Sequence, residues 1–464
     1  MKPHLSLLTL CLLLGACGST AQRPDSGIQP PSSWQSPHTQ NATHRNLQWW
    51  TQFGSPELDR LIEQARVGSY DLAAAIARVR QAQADTVIAG GSLLPEVKAG
   101  LNANRQKLLR GSGYSQLDAD SSNKAVDYFD ANLSATYEID FWGGQRASRE
   151  SAQFGLQASE FDQSTVELTL LSGVANSYAQ ALSLREQSRI AGLNLANAQN
   201  VLNLVQTRFD SGSATALELA QQKSLVAAQQ RQLPLVQQQA QDAVISLAAL
   251  LGRPVQQLRL GAERFDQLSW PTIAAGVPSE LLTRRPDIAR AEAQLSAARA
   301  DVTVARAAML PAVTLSAELG SGADRAADIL RNPFYNLTAG LLAPVFNNGR
   351  LSAERDKATA RQEELLENYR GAIINGFADV EKALNSIRGL DEQRQWQGEE
   401  LNQAQTAFNI AQSRYEAGAE DLLTVLETQR TLYAAQDLNV QLRLSRLQAS
   451  IALYKALGGG WQAL

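Results

Sequence analysis

Cysteine and histidine are almost absent from this chain of 464 residues, which holds two of the first and three of the second. Cys11 and Cys17 lie in or at the end of an apolar leader, and the histidines are His4, His38 and His44. No disulfide can form in the body, no thiol nucleophile remains there, and Cys/His metal sites and His-based triads are excluded. Neither GxxxxGK(S/T) nor GxGxxG occurs, so no nucleotide and no other cofactor is expected. Proline is missing between Pro95 and Pro234 and again after Pro344, although the chain has fifteen. Inside a helix Pro costs ~3 kcal/mol, so such spans are what uninterrupted helices require. No apolar run approaches the roughly 20 residues of a spanning helix. A formal net charge of −4 gives no support to a nucleic-acid partner.

What is present begins with Lys2, an apolar stretch over 5–14, and then Leu14-Gly15-Ala16-Cys17. This reads as a secretory signal over residues 1–16, too short to anchor by itself. The last four residues resemble the bacterial lipobox, which implies cleavage before Cys17 and acylation of its thiol. Gly18, where an Asp would imply inner-membrane retention, favours outer-membrane lipid as the partner of acylated Cys17. A diacyl or triacyl anchor is stable where a single chain is marginal. Residues 17–48, rich in Pro, Ser, Gln and Asn, read as an extended tether.

The body is organised around residues 132–146. Leu133, Ala135, Tyr137, Ile139 and Phe141 alternate with Asn132, Ser134, Thr136, Glu138 and Asp140, which predicts a strand with one apolar and one polar face. Eleven residues is about what a tilted strand needs to cross a bilayer. Gly143 and Gly144 end the pattern, and a helix is predicted over 145–209, roughly 100 Å long. Its seam is expected along Leu193, Ala196, Asn200, Asn203 and Gln206, polar enough to surround water. The arrangement recurs near 336–350. Tyr70-Asp71-Leu72-Ala73 aligns with Pro286-Asp287-Ile288-Ala289, Leu94-Pro95 with Leu310-Pro311, and Arg208-Phe209-Asp210-Ser211-Gly212 with Arg414-Tyr415-Glu416-Ala417-Gly418. Matches in one order, with small changes of offset, point to internal duplication.

Each copy reads helix, strand, polar loop, strand, long helix, tight turn, helix. In copy one the first helix is predicted over 56–90, a strand from 96, a polar loop over 105–126, and a fourth helix interrupted and bent by Pro234. In copy two the strands are predicted over 313–319 and 335–346, and the long helix over 350–415. The divisions are a first repeat over 49–252, an equatorial linker over 253–283, a second repeat over 284–458 and a tail over 459–464.

Four strands cannot close a membrane barrel, which needs about eight. Open sheet edges in hydrocarbon leave backbone groups unsatisfied at several kcal/mol each. Several chains must therefore pool strands, and three would supply twelve, enough for an open lumen. Asn132, Ser134, Thr136 and Glu138 would line water; Leu133, Tyr137 and Ile139 would face lipid. The helices, too long for a bilayer, would project into the periplasm as a tube.

Four segments carry a resemblance: Trp49-Trp50-x-x-Phe53-Gly54, Tyr137-Glu138-Ile139-Asp140-Phe141-Trp142-Gly143, Leu281-Leu282-x-Arg284-Arg285-Pro286-Asp287-Ile288 and Ser413-Arg414-Tyr415-x-x-Gly418. Spread over nearly the whole mature chain, they resemble the TolC/OprM family of outer-membrane efflux proteins, in its lipoprotein branch. The resemblance implies an α+β membrane protein: a homotrimer whose twelve-stranded β-barrel, four strands per chain, continues into a long α-helical periplasmic tunnel. It implies an equatorial collar from residues near 49–60, 253–283, 389–400 and the C-terminus. It also implies an exit duct for drugs or other small toxic compounds, docked through a periplasmic adaptor to an inner-membrane pump of the RND class.

A tube must narrow at its periplasmic end, and the turns at 208–215 and 414–421 are the places available. Leu423 and Glu427, four apart on one helix face, would form an apolar collar and a cation-favouring carboxylate ring under threefold symmetry. The family commonly has Leu and Asp in this segment. Tyr415 matches a family aromatic whose hydrogen bonds hold the closed state, although Glu420 stands where some members have a basic residue. Gly212 and Gly418 are expected to need positive φ, and with Ser213, Ala214 and Ala419 they form candidate adaptor contacts. Two other readings stand beside the duct: the outlet of a type I protein-secretion system, and a structural surface coiled-coil lipoprotein. The second does not account for amphipathic strands inside both repeats. An enzyme is not expected.

Overall fold

The computed structural model describes residues 25–36, 48–107, 126–271, 273 and 275–461. The signal peptide, Cys17 and most of the polar loop after residue 105 lie outside these residues. Helix α1 (Pro56–Gly68) is followed by α2 (Tyr70–Gly91), strands β1 (Glu96–Gln106) and β2 (Val126–Ile139), and helices α3 (Gly144–Asp210) and α4 (Ala216–Leu250). A single helical turn, Leu281–Arg284, then precedes α5 (Pro286–Ala307), β3 (Ala312–Ala323), β4 (Pro333–Leu342), α6 (Arg350–Glu416) and α7 (Leu422–Ala456). Among the described residues, no helix is long and apolar enough to cross a membrane.

The first helix is two, not the one expected over 56–90. Ser69 adopts an extended ψ of 124° and caps α2 by accepting from the Leu72 N–H at 3.4 Å. The cause is a close approach from far along the chain. Gly252 has φ +68°, and a Cβ there would fall 2.0 Å from the Gly68 carbonyl oxygen. The second copy breaks in the same way: Gly458 has φ +89°, and its Cβ would fall 2.0 Å from the Arg284 carbonyl. Only glycine meets both the left-handed backbone and the lack of space.

The four strands form one antiparallel sheet in the order β1-β2-β3-β4. Its register keeps like with like. Ala99, Leu133, Leu319 and Tyr335 pair across all four strands, and so, on the other face, do Lys98, Ser134, Glu318 and Asn336. The Asn132 side-chain amide donates to Glu318 across the polar face at 3.1 Å. On the apolar face Val97, Leu101, Leu133, Leu319, Tyr335 and Leu337 stand 48–78% exposed. In water such a face would be an unfilled interface.

Strand β2 stops at Ile139, short of the alternation read through Phe141. The Asp140 carboxylate leaves the pattern to cap α3, accepting from the Gln145 N–H at 3.0 Å and the Arg146 N–H at 2.9 Å. The Trp142 indole N–H donates to the Pro311 carbonyl at 2.7 Å and fastens the joint to the second copy. Strand β4 likewise ends at Leu342, before the expected 346, and β3 runs on to Ala323. The long helices α3 and α6 have 67 residues each, hence a reach of roughly 100 Å. Helix α4 runs through Pro234, which is exposed, without interruption.

The buried seam of α3 near its far end is Ala191, Asn194, Ala198, Val201 and Val205, spaced three and four apart as in a coiled coil. The expected stripe of Leu193, Ala196, Asn200 and Asn203 faces outward in the single chain. Both stripes fit a helical period; toward the tip the buried one is apolar (Ala198, Val201, Val205) and the outward one is polar (Asn200, Asn203). Residues 25–36 are bound rather than free: Trp34 is buried beside Leu281, Val380 and Leu453, and its indole donates to the Gly276 carbonyl at 2.9 Å.

Candidate functional site: the helical tips and the equator

At the far end of the hairpins each turn closes on itself. The Ser213 N–H donates to the Arg208 carbonyl at 2.7 Å, and the Ala419 N–H to the Arg414 carbonyl at 2.8 Å. Gly212 (φ +75°) and Gly418 (φ +78°) hold the left-handed corner in each. Thr215 and Glu218 then make a capping box at the start of α4, while Asp421 caps α7 by accepting from the Thr424 N–H at 2.9 Å. Gly212, Ser213, Gly418 and Ala419 are all exposed.

The two tips share a core of Val201, Val205, Leu219, Phe408, Tyr415, Leu422, Val425 and Leu426. Tyr415 is 2% exposed, and its hydroxyl is buried without a hydrogen-bond partner among the described residues. In place of the expected hydrogen bonds, the Arg208 guanidinium lies over its ring, 4.3 Å from the centre, and donates to the Glu416 carbonyl at 3.2 Å. Burial pushes the Tyr415 phenol above its ordinary range, and Arg208 pulls it part of the way back. Glu420, in the second turn, pairs with Arg414 at 3.3 Å.

Leu423 and Glu427 do share an exposed face of α7; Leu423 is 54% exposed. No ion pair to Glu427 is found among the described residues. Arg430, one turn further on the same side, is also exposed, so a ring of Glu427 would have a cationic ring next to it. Reading Leu423 and Glu427 without Arg430 missed this, although the i, i+3 spacing was the available signal.

At the equator, Trp49 stacks on Tyr454 at 5.1 Å and meets Trp50 and Phe53 edge-on at 5.9 and 6.1 Å. Beneath them the Tyr178 hydroxyl lies 3.0 Å from Glu57 and 2.8 Å from Glu263, and Ser55 hydrogen bonds to Glu263. Burial pushes the Glu263 carboxyl up, but donors from Ser55, Tyr178 and the Glu57 N–H outweigh it and hold it low. The Arg394 and Arg443 guanidiniums lie over the Trp270 ring, 3.8 and 4.6 Å from its centre. In the Arg284-Arg285-Pro286-Asp287 segment, buried Arg285 grips Asp287 at 3.0 and 2.7 Å, Asp379 at 3.0 Å and the Ala456 carbonyl at 3.3 Å. These are fastenings between elements far apart in sequence. Among the described residues, no group of three His, Cys, Asp or Glu could hold a metal ion.

One four-stranded sheet and two 67-residue helices, each ending in a tight turn, define a class. The chain matches the family described as Outer membrane efflux protein over residues 61–253 and 277–459, and it belongs to that family. It is 65% identical over 461 residues to the Pyoverdine export outer membrane protein OpmQ of Pseudomonas aeruginosa, covering 99% of this chain and 97% of that one. To the protein of the same name from Pseudomonas putida it is 62% identical over 461 residues, 99% and 98% of the two chains. The solved outer-membrane channel OprN superposes with a TM-score of 0.86 at 26% identity, covering 95% of this chain and 100% of that one. The chain is an outer-membrane efflux channel protein of the TolC/OprM kind.

Proposed function

We propose that three copies close one twelve-stranded barrel and one periplasmic tunnel, forming the exit duct through which pyoverdine leaves the cell. The observation that carries the assembly is the sheet: among the described residues nothing pairs with the outer edges of β1 and β4, and one face is apolar on all four strands. Such edges are tolerable in hydrocarbon only when neighbouring copies pair with them. The cargo rests on the likeness to the two pyoverdine exporters over almost the full length of each chain. It points to a cargo other than the drugs or small toxic compounds expected from the sequence, and it disfavours a protein-secretion outlet.

In this reading an inner-membrane pump delivers cargo through a periplasmic adaptor, the exposed turns at Gly212, Ser213, Gly418 and Ala419 meet that adaptor, and acylated Cys17 adds a lipid anchor. The RND class of pump is carried by the resemblance alone. Leu423, Glu427 and Tyr415 belong to the closing end: Leu423 and Glu427 point into the tube, and Tyr415 packs behind them. In this reading the duct does no work; the pump supplies the free energy. The test is an in-frame deletion in a pyoverdine-producing strain, with pyoverdine measured by chromatography in supernatant and periplasm. The expected result is loss from the supernatant and accumulation in the periplasm, reversed by the intact chain. Unchanged secretion would refute the cargo.

A further inference from the structure

Because the chain contains two copies of one unit, each contact between the copies has a counterpart with the roles exchanged. Helix α3 of copy one packs on α5 and α7 of copy two. The exchanged pairs, α6 on α2 and α6 on α4, have no comparable contact inside the chain. Likewise β2 pairs with β3, while the outer edges of β4 and β1 pair with nothing among the described residues. A neighbouring subunit would fill all three vacancies with the same geometry.

At the tip this symmetry names residues. Arg208, Tyr415 and Glu416 form the clasp within the chain; the exchanged set is Arg414, Phe209 and Asp210. We propose that in the assembled ring the Arg414 guanidinium of each subunit lies over the Phe209 ring of its neighbour and donates to the Asp210 carbonyl, so that clasps within and between subunits alternate around the tip. The proposal rests on the ring-shaped assembly argued above.

Three observations single out this site. Tyr415, covered by Arg208, is 2% exposed, whereas its counterpart Phe209 is 38% exposed. A Cβ on Gly418 would come 3.9 Å from the Arg208 guanidinium, whereas one on Gly212 would meet nothing within 4 Å. The space beside Gly212 is the space the neighbour's Arg414 would occupy. Finally, Arg414 in the single chain is exposed and folds back on its own turn, to Glu420 at 3.3 Å and the Ala419 carbonyl at 3.3 Å. Copy one has Ala214 where copy two has Glu420. Arg208 therefore has no such competitor, and the clasp between subunits is the weaker of the two.

The test is cross-linking of the full-length protein in membranes with a short bis-maleimide. Two double variants are compared with the parent chain: Arg414→Cys with Asp210→Cys, and Arg208→Cys with Glu416→Cys. The expected result is a shift of the first pair to covalent dimers and trimers on denaturing gels, while the second links within the chain and stays monomeric. If the first pair stays monomeric in protein that native gels show to be trimeric, the clasp is wrong and the duct survives. If the protein is monomeric on native gels, both fall.

Discussion

Arg208 and Tyr415 are 207 residues apart in sequence, and the guanidinium of one lies 4.3 Å from the ring centre of the other. The contact ties the tip of the α3–α4 hairpin to the tip of the α6–α7 hairpin. Such a pair contributes about 0.5–2 kcal/mol, the larger figure when both partners are desolvated; here the ring is buried and the guanidinium half-buried.

Arg208→Ala removes the cation, uncovers the ring and frees the Glu416 carbonyl. In planar bilayers it should raise the time spent at high conductance, by roughly two- to thirtyfold if 0.5–2 kcal/mol of closure is lost. Arg208→Lys should recover part of the effect.

The glycine pair is a test of the duplicated break between helices. Gly252→Ala and Gly458→Ala each place a Cβ against a carbonyl oxygen, at a backbone that L side chains avoid. Each should cost about 2–4 kcal/mol and lower the melting temperature in detergent. Gly212→Ala has the same strained φ but open space, and should cost only about 1–2 kcal/mol.

The Arg285 clamp predicts a pH dependence. Burial pushes the Asp287 carboxyl up, but hydrogen bonding and charge from Arg285, with the Ile288 N–H, outweigh it and hold it below the usual carboxylate range. A depressed folded-state pKa means stability that is complete above the unfolded value, about 4, and is lost as pH falls through the folded value. Asp287→Asn should flatten the acid limb of the stability curve below about pH 4. Arg285→Ala, which strands Asp287 and the Ala456 carbonyl, should cost about 2–4 kcal/mol in thermal or denaturant unfolding.

Glu427 and Arg430 should act in opposite senses if their face of α7 lines the lumen. Glu427→Gln should lower cation preference, read as a shift of reversal potential in a salt gradient, and Arg430→Gln should raise it. Unchanged potentials for both would remove this face from the conduction path.

Much of the fold was legible in the sequence because it depends on local periodicity. The expected helices over 145–209 and 350–415 lie within one residue of Gly144–Asp210 and Arg350–Glu416. What was not legible depends on partners far along the chain. The alternation through Phe141 looks like strand, yet Asp140 is withdrawn to cap α3. The break at Ser69 exists because Gly252 arrives at Gly68, some 180 residues later. At the tips, Leu423 and Glu427 could be placed on one exposed face by spacing alone. The role of Arg208 could not, because no local pattern says which ring it will cover.

The account stands on neighbouring copies completing one another's sheet, and the native mass of the detergent-solubilised protein tests that most directly. The predicted spectrum shows a species of three chains and no folded single chain. A stable, folded species of one chain, with β1 and β4 unpaired, would contradict it.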